Sequence, residues 1–518
     1  MQIDEAQVFL PELWATHARF SPNKEAVICG DVRRNWKDFN DNMNKIANAV
    51  IARGFGRGDK VAVLMGNAVE TLEVMYGIVR AGACVVPLSG LLTADQIEVL
   101  TNDCGASLII SSQSTHLRID SIRDRLTNIQ SSNFISVEFT SENWTSFVEF
   151  LAGCDNSMPV VDYQMTDTFN IIYSSGTTGL PKGIVQTHMA RQHWSYSNAI
   201  EMRFHTNTIA MTTTALYSNG TWLMILPALF AGGTIIILPE FNSQAFLNIV
   251  SKEQITHTFM VPTQFITALA DPELDDSDLT SLEAVLCAGS PLRPDTKADV
   301  LRRITRNLYE LYGFSEGFAT MNRPHTQSAK PDSVGTPVLG FDIRILDDDG
   351  NELGPGEIGE IAGSGAGMMK EYHGLPELTA PLIWTNSQGR TFIRSGDIGK
   401  LDDDGFLYIL DRKKDMIISG GLNVFPADIE AIIGENETVR DVTVIGIPHE
   451  KWGETPAALV IPNEGASEQS ILEWSNQRLA KHQRLAVVIF KEDFPRNALG
   501  KVLKRELRES FQLEKDHG

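Results

Sequence analysis

The sequence predicts an α/β protein, with a large N-terminal domain of βαβ sheets, a small β-barrel-like subdomain, and a small α+β C-terminal domain. Three observations carry this. The chain has 518 residues, more than one hydrophobic core holds, since cores stop growing near about 250–300 residues. Short apolar, β-branched runs alternate with helical periodicity through the first two-thirds, the pattern of βαβ units and mainly parallel sheets. From about residue 331, Gly- and Asp-rich turns separate short alternating segments, as in antiparallel β structure.

The elements follow in chain order. Segments 61–65, 84–87, 107–111, 234–238 and 284–287 read as buried strands, with helices over 69–80 and 94–102. The apolar stretch 222–239 (WLMILPALFAGGTIIILP) is barely long enough to span a membrane. Gly232-Gly233 divides it into a helical half and a β-branched half, so it reads as helix, glycine turn and buried strand, and no integral membrane segment is expected. Segments 341–345, 356–361 and 405–409 read as antiparallel strands. The charged stretch Asp411-Arg412-Lys413-Lys414-Asp415 marks a boundary, giving domains 1–411 and 412–518.

Composition narrows the function. Hydrophobic residues make up 42% and charged residues 21%, which excludes wholesale disorder. Against 66 Asp+Glu stand 44 Lys+Arg, a net charge of −22, so nucleic acid phosphates are repelled and no nucleic acid partner is expected. The five cysteines are scattered without a CxxC pair, as buried thiols in a reducing compartment would be. The N-terminus lacks a basic start and apolar run, which points to a cytoplasmic protein. His193, His205, His257, His325, His373, His449 and His482 show no HxxxH-like spacing, so no dedicated metal site is expected, and His188 is given no role.

The strongest chemical signal is Tyr173-Ser-Ser-Gly-Thr-Thr-Gly-Leu-Pro-Lys-Gly183. After a strand over 169–173 come ten residues holding four hydroxyls, three glycines and one lysine. Glycines let backbone N–H groups approach a polyphosphate, hydroxyls donate to its oxygens, and Lys182 supplies charge. The order differs from a Walker A loop, because Lys182 is followed by Gly183. A plain Ser/Gly surface turn is the competing reading of SGTTG alone, and the full string favours phosphate.

Further motifs follow in order. They are Tyr312-Gly-Phe-Ser-Glu-Gly317, Arg394-Ser-Gly-Asp397, Asp411-Arg412 through Ser419-Gly-Gly-Leu-Asn-Val424, and Pro495-Arg-Asn-Ala-Leu-Gly-Lys501. Together they resemble the adenylate-forming superfamily of acyl-CoA synthetases, peptide-synthetase adenylation domains and firefly luciferase, over nearly the whole chain. Two departures stand out: Ser315 replaces the usual threonine of YGxTE, and Asn497 replaces a threonine near the C-terminal lysine.

The resemblance implies an ATP/AMP site formed by Ser174, Ser175, Gly176, Thr177, Thr178, Gly179, Lys182, Gly289, Ser290, Pro291, Tyr312, Gly313, Ser315, Asp397 and Arg412. Residues 289–291 and Tyr312 would sandwich adenine, and Asp397 and Arg412 would reach the ribose. Glu316 would hold Mg²⁺ on the ATP phosphates as a hard oxygen ligand. Lys501, Glu316 and Thr177 are the implied catalytic residues, with Lys501 placed between two anions brought together in the transition state. Each has a plainer reading as a solvated or turn residue, which the joint order of the motifs outweighs.

The resemblance also implies a mobile C-terminal domain that rotates between half-reactions about Lys414. Ser419, Gly420 and Gly421 would then approach the acyl site from the coenzyme A side. An acyl pocket would draw on Tyr217, Asn219, Gly220, Met260, Val261, Gly317, Phe318 and Ala319, although Tyr217 reads equally as a core tyrosine. The implied activity is that of a carboxylic acid–CoA ligase using ATP, Mg²⁺ and coenzyme A, as a monomer or homodimer. The acid is medium- or long-chain, aryl or bulkier. Coenzyme A is favoured as acceptor because no carrier domain follows Lys501 and because His449-Glu-Lys-Trp-Gly-Glu454 resembles the acyl-CoA synthetase branch. A carrier-protein acceptor and a non-catalytic ATP- or acyl-binding sensor are the alternatives.

Overall fold

The computed structural model describes residues 8–174, 182–419, 422–496 and 502–516. Two large sheets organise its N-terminal part. The first runs, edge to edge, through Glu371–Tyr372, Lys182–Thr187, Thr168–Ser174, Cys84–Pro87, Lys60–Leu64, Leu108–Ser112, Phe134–Val137 and Thr145–Ser146. Pairing is parallel from Thr168–Ser174 onward. Lys182–Thr187 returns antiparallel to Thr168–Ser174, and Glu371–Tyr372 adds antiparallel to its free edge.

The second sheet runs through Thr336–Pro337, Ala319–Asn322, Leu308–Gly313, Ala284–Cys287, His257–Met260, Ile209–Thr212, Thr234–Ile237, Glu25–Cys29 and Val32–Asn35. From Leu308–Gly313 to Glu25–Cys29 every pair is parallel. The expected βαβ alternation is therefore present, with antiparallel strands at the edges. Strands 84–87 and 284–287 and the helix over 69–80 match their predicted limits.

Helices Val69–Arg80, His188–Glu201 and Asn219–Ala231 contribute to the large core that joins both sheets. A helix covered on all sides is mostly apolar and pairs what charge it buries. In Val69–Arg80 every residue except Glu70 is buried, and buried Glu73 accepts from Asn42 Nδ2 at 2.7 Å and pairs with Arg34 at 3.2 Å. Its terminal Arg80 is also enclosed and donates to Asn40 Oδ1 at 2.6 Å and Asn44 Oδ1 at 2.7 Å. Burial lowers its guanidinium to about 10. The stretch 222–239 folds as predicted: helix Asn219–Ala231, Gly232 at φ 72°, then strand Thr234–Ile237. Among the described residues no helix is long and apolar enough to cross a membrane. All five cysteines are free thiols.

The barrel-like subdomain is an antiparallel sheet of Phe341–Leu346, Gly359–Gly365, Thr391–Leu401, Ile383–Thr385 and Leu407–Arg412, with register shifts that bend it. Two of its strands start later than the alternation suggests. Gly354–Glu357 closes a turn, with the Glu357 N–H donating to Gly354 O at 3.2 Å. The Asp402 carboxylate accepts from the N–H groups of Asp404 and Phe406, fixing a second turn before Leu407. Beyond Arg412 a new sheet begins, formed by Leu422–Val424, Ile417–Ser419, Gly453–Pro462, Val439–His449 and Val487–Phe490. It has its own core, including Ile429, Ile433, Val444, Val460 and Ile471.

Candidate active site

The neighbouring parallel strands His257–Met260, Ala284–Cys287 and Leu308–Gly313 end side by side. Their carboxyl ends deliver residues 261–262, 289–291 and 314–317 to one edge of the sheet, where open α/β sheets bind ligands. Three groups of predicted site residues meet around that edge.

The first group centres on Asp397, which is 5% exposed. Its Oδ2 accepts from the Tyr312 hydroxyl at 2.6 Å, and its Oδ1 pairs with Arg412 Nε at 3.0 Å. The sheet aims these residues, because Asp397 and Arg412 face each other across adjacent strands. Burial and the neighbouring carboxylate hold the Tyr312 hydroxyl well above the ordinary tyrosine range, so it stays a donor. A carboxylate has about four acceptor sites, leaving Asp397 capacity for further donors.

The second group surrounds Glu316. Its Oε1 accepts from the Tyr372 hydroxyl at 2.8 Å, and the Tyr372 ring lies under Lys182 Nζ, 4.7 Å from its centroid. Pairing of Glu371–Tyr372 with Lys182–Thr187 fixes this arrangement, reinforced by the Met369 N–H on Glu316 O at 2.8 Å. Burial and the Glu316 charge raise the Tyr372 hydroxyl far above its usual value. Tyr372 carries no motif and was not predicted; only the long-range strand pairing reveals it. Among the described residues no group of three His, Cys, Asp or Glu side chains is arranged to hold a metal ion. Glu316 alone therefore fits Mg²⁺ only where phosphates and water supply the other ligands, which is how this ion is ordinarily held.

The third group links the strand-end loop to the helix Asn219–Ala231. Asn219 Nδ2 donates to Ser315 Oγ at 3.2 Å, and Gln186 Nε2 donates to Ser315 O at 2.8 Å. Gly220 lies against the Phe259 ring, where an added Cβ would come within 3.0 Å. Gly317 lies against the Phe314 ring, and Val261 is a buried residue that caps the helix Pro262–Leu269. Phe318, Ala319 and Met260 are wholly buried: Phe318 is covered by Gly363 and packs edge-on to Phe314, while Met260 belongs to the outer core. Tyr217 is half-exposed and outside the core clusters.

At the predicted hinge, Lys413 is the lysine tied to the antiparallel sheet, through Asp348 at 3.0 Å and Glu360 at 3.2 Å; Lys414 is exposed. Asp411 accepts the Ala427 N–H at 3.0 Å, and Asp415 pairs with Arg508 at 2.7 Å. Ser419 pairs with both Leu422 and Gly453 in the C-terminal sheet. Ser175, Gly176, Thr177, Thr178, Gly179, Gly420, Gly421 and Lys501 lie outside the described residues. Buried His188 is held near 4 by desolvation, so at neutral pH it is uncharged.

Comparison with known proteins agrees with this geometry. The AMP-binding enzyme model matches residues 14–373, and the model of the AMP-binding enzyme C-terminal domain matches 428–501. The chain is 32% identical over 504 residues to a feruloyl-CoA synthase of Amycolatopsis sp, covering 95% of this chain and 97% of the relative. It is 32% identical over 512 residues to the long-chain-fatty-acid–CoA ligase FadD13 of Mycobacterium tuberculosis, with the same 95% and 97% coverage. ATP-bound MatB from Rhodopseudomonas palustris superposes with a TM-score of 0.88 at 28% identity, covering 97% of this chain and 99% of that one. The chain belongs to the AMP-binding enzyme family, in the acyl-CoA synthetase branch of the adenylate-forming superfamily.

Proposed function

We propose that this acid–thiol ligase activates an aryl, medium- or long-chain carboxylic acid with ATP and passes the acyl group to coenzyme A. The observation that carries the reading is the pairing of two polar centres at one sheet edge: Tyr312–Asp397–Arg412, and Lys182–Tyr372–Glu316. The first suits a ribose, which offers hydroxyl donors to a fixed carboxylate. The second suits a polyphosphate, for which Lys182 supplies positive charge and Glu316 a metal-directed oxygen.

In the first half-reaction a carboxylate oxygen of the acid attacks the α-phosphorus of ATP. The bond from that phosphorus to the bridging oxygen breaks, and pyrophosphate leaves. Mg²⁺, when bound, neutralises phosphate charge. Lys501 steadies the approach of two anions, Lys182 holds the departing phosphates, and Asp397 with Tyr312 fixes the nucleoside. In the second half-reaction the thiolate of coenzyme A attacks the acyl carbon, and the C–O bond to AMP breaks. The C-terminal domain turns about the 411–415 stretch between the two steps.

The Phe259 ring against Gly220, beside the polar Asn219–Ser315 pair, favours an acid with a large hydrophobic body. The named activities of the feruloyl and long-chain relatives support the same class. The test is a carboxylic acid panel with ATP, Mg²⁺ and coenzyme A, following pyrophosphate and thioester together. Matched release of both is expected for aryl or long-chain acids. Pyrophosphate without thioester would replace coenzyme A by another acceptor. Absence of both, with no ATP binding, would favour a non-catalytic sensor.

A further inference from the structure

Asp441 lies in the strand Val439–His449, where pairing with Gly453–Pro462 shifts register between Val439 and Asp441. The extra residue, Arg440, makes a bulge, and bulges re-aim the side chains beside them. The Asp441 carboxylate is engaged at both oxygens. Oδ1 accepts from Arg293 Nη2 at 2.9 Å, and Oδ2 accepts from Arg496 Nη2 at 2.5 Å. The Val442 N–H also donates to Oδ1 at 2.9 Å.

The two arginines come from places that matter to the reaction. Arg293 follows Gly289, Ser290 and Pro291 and is the N-cap of helix Pro294–Arg303. Arg496 forms an isolated bridge with Val502, so it stands at one foot of the segment that carries Lys501. One carboxylate of the C-terminal sheet thus ties the predicted adenine loop to the base of the lysine segment.

We propose that Arg293, Asp441 and Arg496 form an electrostatic latch that favours the C-terminal orientation used for adenylation and opens for thioester formation. The inference rests on the two-step ligase reading above. These are positioning residues, acting through the placement of Lys501. Only the Arg293–Asp441 pair crosses between the domains, with Arg496 steadying Asp441 from within the C-terminal domain. The crossing side chains are 53% and 25% exposed, so water can replace each partner when the contact breaks. A deeply buried pair would leave uncompensated charge on opening and trap one state. A partly exposed one shifts the balance of two orientations by only a modest factor.

The test separates the half-reactions in Arg293→Ala, Asp441→Asn and Asp441→Glu. ATP–pyrophosphate exchange reports adenylation, and single turnover of purified acyl-adenylate with coenzyme A reports thioester formation. Exchange is expected to fall about three- to five-fold in Arg293→Ala and Asp441→Asn, with thioester formation unchanged or faster. Asp441→Glu, which keeps the charge, should recover most of the exchange. Added salt of about 0.5 M should slow exchange by a larger factor in the parent than in Asp441→Asn, because contacts to ATP are screened in both while only the parent has the latch pair to lose. Equal loss in both halves, or undiminished exchange, would overturn the latch. Solution X-ray scattering of the unliganded parent and Asp441→Asn reads domain arrangement without turnover, and identical curves would overturn it too. A parent silent with every acid would instead count against the ligase reading, while scattering still decides the latch.

Discussion

The Tyr312 hydroxyl donates to Asp397 at 2.6 Å, although 85 residues separate them in the chain. This bond joins the end of a parallel strand in the second large sheet to the antiparallel subdomain. Arg412, the last residue of that subdomain's final strand, completes the set on the other carboxylate oxygen at 3.0 Å. The proposed nucleoside side of the site is therefore assembled by three separate segments, and its geometry depends on how the two sheets dock.

Tyr312→Phe removes that donor and keeps the ring. A hydrogen bond to a charged group contributes about 1.5–3 kcal/mol. Arg412 still neutralises Asp397, so the lower end applies. We expect roughly a tenfold loss in kcat/KM for ATP, measured by pyrophosphate exchange, with thermal stability little changed. An unaltered ATP dependence would remove Tyr312 from nucleoside positioning.

Tyr372→Phe tests the phosphate side. The ring stays near Lys182, but Glu316 loses the hydroxyl that orients it. Groups that orient a metal ligand typically tune affinity by about 10–100-fold. The Mg²⁺ concentration for half-maximal exchange should therefore rise about tenfold, with little change at saturating Mg²⁺. Mn²⁺ binding to the ATP complex, followed by electron paramagnetic resonance, should weaken in parallel. A drop in rate that saturating Mg²⁺ does not rescue would contradict this assignment.

Tyr312 was legible in the sequence as a motif residue, whereas Tyr372 shows where sequence reading stops. The buried strands 84–87 and 284–287 were legible because a covered parallel strand is a continuous apolar run, and helix 69–80 because its length and composition suit an enclosed helix. Glu316, Asp397 and Arg412 were legible as motif residues. Tyr372 was not, since its two-residue strand gains meaning only by pairing with Lys182–Thr187, across a separation that local periodicity does not encode. The same holds for the bulge before Asp441 and for the turns that delay the strands Gly359–Gly365 and Leu407–Arg412.

Stability should fall in mild acid. Burial lowers His188, His193 and His257 to about 4 from the ordinary 6.5. Between those values the unfolded chain binds more protons than the folded one, so stability rises with pH. It is fully present above about 6.5 and is lost as pH falls toward 4. His188 sits among Phe9, Tyr163 and Phe169, which would accept an aromatic ring. His188→Phe should therefore flatten the fall in unfolding midpoint between pH 6.5 and 5, with a small effect at pH 7.5. A parallel curve for parent and variant would show that His188 is not a source of the slope.

Lys501 offers the sharpest separation of the two half-reactions. Its side chain lies outside the described residues, but Arg496 and Val502 close the segment that carries it, and Arg496 reaches Asp441. Adenylation brings a carboxylate toward a polyphosphate, so a cation between them lowers the barrier most where both anions are closest. The thioester step has no such encounter, because pyrophosphate has left and the nucleophile meets a carbonyl carbon rather than a phosphorus. Lys501→Ala should then slow pyrophosphate exchange by roughly 10²–10³-fold, the scale for losing one preorganised electrostatic group. Thioester formation from supplied acyl-adenylate should proceed at close to the parent rate. If both halves fell together, the lysine would serve the fold of the C-terminal domain, and the division of labour between its two orientations would have to be abandoned.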